Sequence, residues 1–306
     1  MLRISASEGT VDGAALTNSA PAVAPGKLIT NIDDPAFQQW MKTVATLSAY
    51  KQVEAVTKKL QELNPGFDGK VTADFEGRSV TELRFVTDNV TDISPLPALP
   101  GLQSLTIHGS DLGGGKVNGR LSSLSQLEGM QLTVLNCEGN SVLADLSPLT
   151  GMKLTNLNCG TTEVSDLSPL QGMPLTTLRL VGSRVSDLSP LKGMHLKSLE
   201  IRYTQVSDLS PLQGMALTSL ICFATPVADL SPLRGMPLTF LWCLNAPVSD
   251  LSPLEDCKNL RELKVIKTKV TAAAVAALQK ALPNCKIEWD DPAKPKTPEP
   301  AASGTK

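Results

Sequence analysis

Read for the alternation of apolar and polar positions, the chain repeats one short pattern. Nine units begin at Val80, Leu102, Leu132, Leu154, Leu175, Leu196, Leu217, Leu238 and Leu260, each close to L-x-x-L-x-(C/L/I/V)-x-x-(T/N/S), as in LTNLNCGTT from Leu154. Apolar residues at alternate positions in the middle of each unit predict a short strand with one face buried and one exposed. The second half of most units reads V-S-D-L-S-P-L. The motif DLSPL occurs six times, with Asp145, Asp166, Asp187, Asp208, Asp229 and Asp250 spaced 21 residues apart, and the variant DISPL starts at Asp92. Its Ser-Pro predicts a hydroxyl N-cap ahead of a first-turn proline, and hence a brief helical or 3₁₀ turn. A unit of this length holds one strand and one turn, and it cannot bury its apolar side alone, so neighbours must stack. Nine strands at about 4.8 Å spacing predict a parallel sheet roughly 40 Å long on the concave side of a curved rod.

The flanks close the two ends of the rod. Asp34-Pro35 offers a cap and first-turn proline before Phe37, Trp40, Met41, Val44 and Leu47 at helical spacing, and a second helix with Val53, Val56, Leu60 and Leu63 follows Ser48. KVTADF and SVTELRFV read as a hairpin whose second strand is the first repeat strand. After the last repeat, VTAAAVAALQKALPNCKIEW reads as a helix and a closing strand ending at Trp289. The expected organisation is a disordered tail over 1–30, a helical and hairpin N-terminal cap over 31–79, a solenoid with its C-terminal cap over 80–289, and a disordered Pro-rich tail over 290–306.

These residues resemble the leucine-rich repeat proteins. The short unit is similar to that of the bacterial internalin-like group and to repeat regions sometimes attached to bacterial Ser/Thr kinases. The resemblance spans Val80 to about Trp289. It implies an α/β fold: a leucine-rich-repeat solenoid with a parallel concave sheet, a convex side of 3₁₀ or short helices, a helical N-terminal cap and a helix-strand C-terminal cap. It also raises the reading of a free-standing relative of a kinase-linked sensor region. The usual strand-closing Asn appears only as Asn140, with Thr162, Ser183, Thr204, Thr225, Ala246 and Thr268 in its place elsewhere. Hydroxyls make part of the same backbone-bonding ladder. Ala246 makes none of it.

Composition narrows the chemistry. The 28 Lys plus Arg nearly balance 30 Asp plus Glu, for a formal charge of -2, which gives no electrostatic case for a nucleic-acid or membrane partner. No run approaches 18 apolar residues, and the opening MLRISASEGT carries no signal-like apolar stretch, so a soluble, cytoplasmic chain is expected. With only 2 His, a metal or general-base enzyme is disfavoured, and no cofactor or metal is expected. Cys137, Cys159, Cys222 and Cys243 occupy one inward strand position of different repeats and read as buried free thiols. Cys257 and Cys285 fall in the C-terminal cap region, where a bond between them is the lesser alternative. The Asp column reads as local backbone caps rather than a calcium array, since GGxGxD is absent. Gly113-Gly114-Gly115-Lys116 lacks the first Gly and the hydroxyl of a phosphate loop and is expected to be a mobile insertion. There is no H-R-D, and His108 and His195 each stand alone.

The outward strand positions carry the functional expectation. In the first four repeats they are mostly small and polar. In later repeats they bring Ile221 beside Trp242, and Phe223 beside Leu244 and Ile266, with Phe240 flanking and Tyr203 close by. Arg179, Arg202, Glu200, Glu262 and Lys264 rim this patch. Its composition is that of a protein-binding hot spot. The expectation is a non-catalytic scaffold that binds a protein or peptide on its concave face. Self-association as a homodimer, a surface-adhesive role, cover by a flank such as the Pro-rich tail, and an enzyme built on the Gly113–Arg120 insertion or the N-terminal helices remain as alternatives.

Overall fold

The structure is a computed structural model, and it describes residues 2–4, 34–113 and 116–291. The expectation of disordered tails therefore falls largely outside the described residues. Within the first of them, however, β1 (Leu2–Ile4) pairs antiparallel with the next strand.

Two helices open the cap, α1 (Pro35–Ala45) and α2 (Ala49–Leu63). The Asp34 carboxylate accepts from the Ala36 N–H ahead of Pro35, as a first-turn proline requires. Apolar residues at helical spacing, Val53, Val56 and Leu60, are buried against the hairpin of β2 (Val71–Glu76) and β3 (Ser79–Val86). From β3 onward the pairing is parallel: β4 (Ser104–His108), then β7 (Val134–Asn136), β8 (Asn156–Asn158), β9 (Thr177–Arg179), β10 (Ser198–Glu200), β11 (Ser219–Ile221), β12 (Phe240–Trp242) and β13 (Glu262–Val265). Between β4 and β7, the Gly-rich insertion forms its own small antiparallel pair, β5 (Asp111–Gly113) and β6 (Lys116–Val117). The helix α3 (Ala272–Ala281) and the strand β14 (Lys286–Trp289) complete a 12-stranded sheet.

The core is the stack of inward leucines. In the unit from Leu175, the residues Leu175, Leu178, Leu180, Val185 and Leu191 are each 0% exposed, and neighbouring units repeat this column by column. The units from Leu132 to Leu238 each close on the convex side with a 3₁₀ turn that opens Ser-Pro-Leu, such as Ser168–Leu170. Here the structure corrects the expected cap. The flanking position is Leu167, Ser168 opens the turn, and the capping acceptor is Asp166. The Oδ1 of Asp166 accepts from the Ser168 N–H and its Oδ2 accepts from the Ser168 hydroxyl, both at 2.8 Å. An Asp two residues ahead reaches both donors at once, which a serine bonding its own backbone does not. The same pair recurs at Asp145, Asp187, Asp208, Asp229 and Asp250. The carboxylate column is thus committed to local backbone. A glycine at positive φ follows the turns that open at Ser147, Ser168, Ser189, Ser210 and Ser231, as at Gly172 (φ 74), where a side chain would be strained.

At the strand ends Asn140 makes four buried hydrogen bonds. It donates to the Ile107 and Cys137 carbonyls and accepts from Leu121 N–H and the Thr87 hydroxyl. Thr162, Ser183, Thr204, Thr225 and Thr268 each donate to the carbonyl three residues back, and Thr162 also accepts from the Val164 N–H at 3.4 Å, so their bonds stay local. Ala246, buried at 2% exposure, makes none, yet β12 keeps its in-register pairing with β13. Loss of the side-chain bond is absorbed there because the backbone ladder on both sides is intact.

Candidate functional site

Parallel in-register pairing turns the outward residues into rows that run along the rod. One row is Arg179, Glu200, Ile221, Trp242, Lys264 and Glu288, a single register series from β9 to β14. The row before it places Ser219, Phe240 and Glu262 side by side. All the sequence-predicted site residues except Tyr203 and Arg179 are half-buried, so the aromatics pack against one another rather than standing free. The Phe240 and Trp242 rings lie 4.6 Å apart between centroids, tilted by 39°. Trp242 donates from Nε1 to a Glu262 carboxylate oxygen at 3.0 Å.

Charges frame the aromatics in bonded groups. Glu200 sits between Arg202 at 2.6 Å and Arg179 at 3.6 Å. Lys264 sits between Glu262 at 3.3 Å and Glu288 at 3.5 Å, and its ammonium lies over the Trp242 ring. Lys286 bonds Glu288 at 2.6 Å, which holds that carboxyl below its ordinary range. At the other end of the face, the guanidinium of Arg84 does the same for Glu82. Because these charges are paired both within a rung and between neighbouring rungs, the face presents mixed polarity instead of one sign.

One step beyond the strands, the rim carries Phe223, Leu244 and Ile266, with Arg202 on the rung before. The backbone ladder continues here: Tyr203 N–H donates to the Phe223 carbonyl and Asn245 N–H to the Ile266 carbonyl. Arg202 lies over the Phe223 ring at 5.5 Å, and Tyr203 meets the same ring edge-on at 5.0 Å. Tyr203 does not lie on a strand. It belongs to a column in the left-handed region that includes Gly139, Thr161, Gly182, Ala224, Asn245 and Lys267 (Tyr203 φ 59), where the chain turns out of the sheet. This turn leaves the Tyr203 ring 58% exposed at the lip of the patch. Sequence reasoning missed this column because only two of its seven members are glycine.

The other conspicuous concavity, a cleft of about 740 Å³, lies between the β5–β6 pair and the strand ends, lined by His108, Asp111, Glu138, Arg202 and Tyr203. His108 is half-buried with Nδ1 3.0 Å from the Gly109 carbonyl, while Glu138 accepts from Asn158. His195 is exposed, between the Ser189–Leu191 turn and β10. All six cysteines are free and buried, with Cys222 and Cys243 in contact at 3.2 Å. Burial raises the Cys159 thiol to about 12. Among the described residues no group of three or more His, Cys, Asp or Glu is placed to hold a metal ion, and no helix is long and apolar enough to cross a membrane.

Solved structures share this architecture. Internalin C2 of Listeria monocytogenes aligns over 89% of this chain and 100% of its own, at 21% identity and a TM-score of 0.52. A leucine-rich-repeat protein of Leptospira interrogans aligns over 65% of this chain and 51% of its own, at 19% identity and a TM-score of 0.53. The fold is a leucine-rich-repeat solenoid, similar to those of these two bacterial proteins. No protein-family model and no curated protein matches the sequence. Within the leucine-rich-repeat frame, the variable outward rows are what distinguish this chain, because the inward rows are taken up by the leucine core.

Proposed function

We propose that this leucine-rich-repeat chain is a non-catalytic scaffold in the cytoplasm that binds a protein or peptide across the concave face from β9 to β14. The observation that carries the reading is the cluster of Ile221, Phe240 and Trp242 on an otherwise polar sheet, continued on the rim by Phe223, Leu244 and Ile266. A half-buried tryptophan and arginine framed by bonded charges, with an exposed tyrosine at the lip, are the residue types from which binding hot spots are made. Arg179, Arg202 and Lys264 supply directional contacts at the edge, and each is already oriented by a carboxylate, so little side-chain freedom is lost on binding. Mixed charge along the rows favours a protein surface over a polyanion, in keeping with no nucleic-acid partner and no membrane.

The test is affinity capture from the source cells with wild type and the Phe240→Ala, Trp242→Ala double variant, after their circular dichroism and melting curves are shown to agree. A protein retained by wild type and lost by the variant supports the reading, with an expected cost of about 2 kcal/mol or more. Capture of the chain itself, lost in the variant, makes the face a homodimer surface. Equal capture by both overturns the concave site.

A further inference from the structure

The β5–β6 insertion is seated by close backbone approach, which gives the cleft beside it a fixed wall. Gly119 N–H donates to the Gly139 carbonyl at 3.1 Å, and a Cβ on Gly109 would lie 2.2 Å from that same oxygen, so glycine is required there. On its outgoing side Ser110 donates from its N–H and from its hydroxyl to the Asp88 carboxylate. The floor comes from the left-handed column. Gly139, Thr161 and Gly182 occupy successive rungs without a large side chain, kept in step by backbone bonds to the Gly160, Val181 and Arg202 carbonyls. Tyr203 is the next member and the first bulky one, so it closes the far end. Gly139 and Tyr203 stand three rungs apart, about 14 Å. The enclosed 740 Å³ is the size of a ligand site.

The two ends of this cleft carry opposite, uncompensated charge. Elsewhere on the face Glu82, Glu262 and Glu288 are bonded to Arg84, Lys264 and Lys286. At the insertion end, the Asp111 carboxylate accepts from the Gly113 N–H and that of Glu138 from the Asn158 amide, and among the described residues neither is paired with a cation. At the other end Arg179 and Arg202 share the single carboxylate of Glu200, which leaves one positive charge over. Glu200 and the Phe223 ring hold Arg202 in place at the lip.

We propose that this cleft binds a linear peptide carrying a lysine or arginine and, four residues away, an aspartate or glutamate, its cation at Asp111 and Glu138 and its carboxylate at Arg202. An extended chain advances about 3.3 Å per residue, so four residues cover about 13 Å, and side chains four apart face the same side. A ligand of one sign satisfies one end and is repelled by the other. The inference goes beyond the concave-face reading: the cleft lies past the strand ends from β4 to β10 and shares only Arg202 and Tyr203 with the aromatic patch.

The probe is a capped seven-residue peptide with lysine second and glutamate sixth, and glycine and serine elsewhere. The chain has 2 His, so the imidazole resonances of the full chain belong to His108 in the cleft and to His195, which precedes β10 and serves as the control. The expected result is a saturable shift of His108 with His195 unmoved. Glu138→Gln and Arg202→Gln, each shown to melt as wild type does, should each raise the Kd about fivefold, and so should peptides with two lysines or two glutamates at those positions. No saturable shift of His108 overturns the proposal. Equal binding of the same-sign peptides does so as well, as does a Kd unaltered in both variants. The Phe240→Ala, Trp242→Ala variant should bind the probe as wild type does, so failure of the concave-face capture and failure of the cleft are read separately.

Discussion

The ammonium of Lys264 lies 4.3 Å from the centroid of the Trp242 ring, and Glu262 is bonded to both residues. The largest aromatic of the concave face is therefore held at its face and at its polar edge by the next rung. Lys264→Met should free the ring, and a double-mutant cycle with Trp242→Leu should return a coupling of about 0.5–1 kcal/mol in urea denaturation. A coupling indistinguishable from zero would show that the two side chains are merely adjacent.

Asn140 and Thr204 hold equivalent places in the repeat but carry unequal loads. Asn140→Ala strands two carbonyls, an amide and the Thr87 hydroxyl in the core, at a cost of about 3 kcal/mol. Thr204→Ala strands one carbonyl and should cost about 1 kcal/mol. Equal losses in urea denaturation would contradict the unequal loads of the two positions.

The left-handed column makes a paired prediction. A Cβ on Gly182 (φ 63) would meet nothing within 4 Å, so the cost of Gly182→Ala is purely conformational, about 1 kcal/mol. Ala224 stands in the same conformation (φ 54), and Ala224→Gly should stabilise by about 0.5–1 kcal/mol. Melting temperatures moving in opposite directions confirm the column, and a shared direction refutes it.

Thiol chemistry should report the fold as a whole. Burial pushes Cys159 up to about 12 and Cys285 up to about 11. The native chain should resist a disulfide reagent at neutral pH, and all 6 cysteines should titrate in denaturant. Fast reaction of two or more thiols in the native state would mean that the repeats open locally.

Acid should act through the cap column. The Ser168 and Ser231 amides, then their hydroxyls, hold Asp166 and Asp229 below the ordinary range, and for Asp187 the Ser189 hydroxyl leads. The stability they contribute is complete above the ordinary carboxylate value and is lost as pH falls through the lower folded one. Replacing all three by Asn should therefore flatten the stability profile between about pH 5 and 3 while leaving its slope near neutrality unchanged. An unaltered acid limb would rule out these groups as its source.

Much of this was legible because a period is more informative than any single residue. Once 21-residue spacing is seen, the neighbour of Ile221 must be Trp242, and the inward column must hold Cys222 and Cys243 together. What escaped the sequence depends on backbone geometry that residue type does not announce. Thr161, Tyr203 and Lys267 give no hint of positive φ, and Ser-Pro suggests a serine cap when Asp reaches the same donors from two residues away. The β5–β6 pair was hidden because Asp111–Val117 has no apolar alternation.

Most strands of the repeat are three residues long, and the chain turns away immediately afterwards. The concave surface is in consequence a strip only a few side chains wide, and nearly all of its extent lies along the rod. A surface of that shape works as a ruler: it measures an extended ligand by length and by which rung each feature meets. Gaining or losing one 21-residue unit within the face would leave the buried stack closed but shift the graduations, so that a partner matched to the rungs from β9 to β14 would find its contacts one rung out of step.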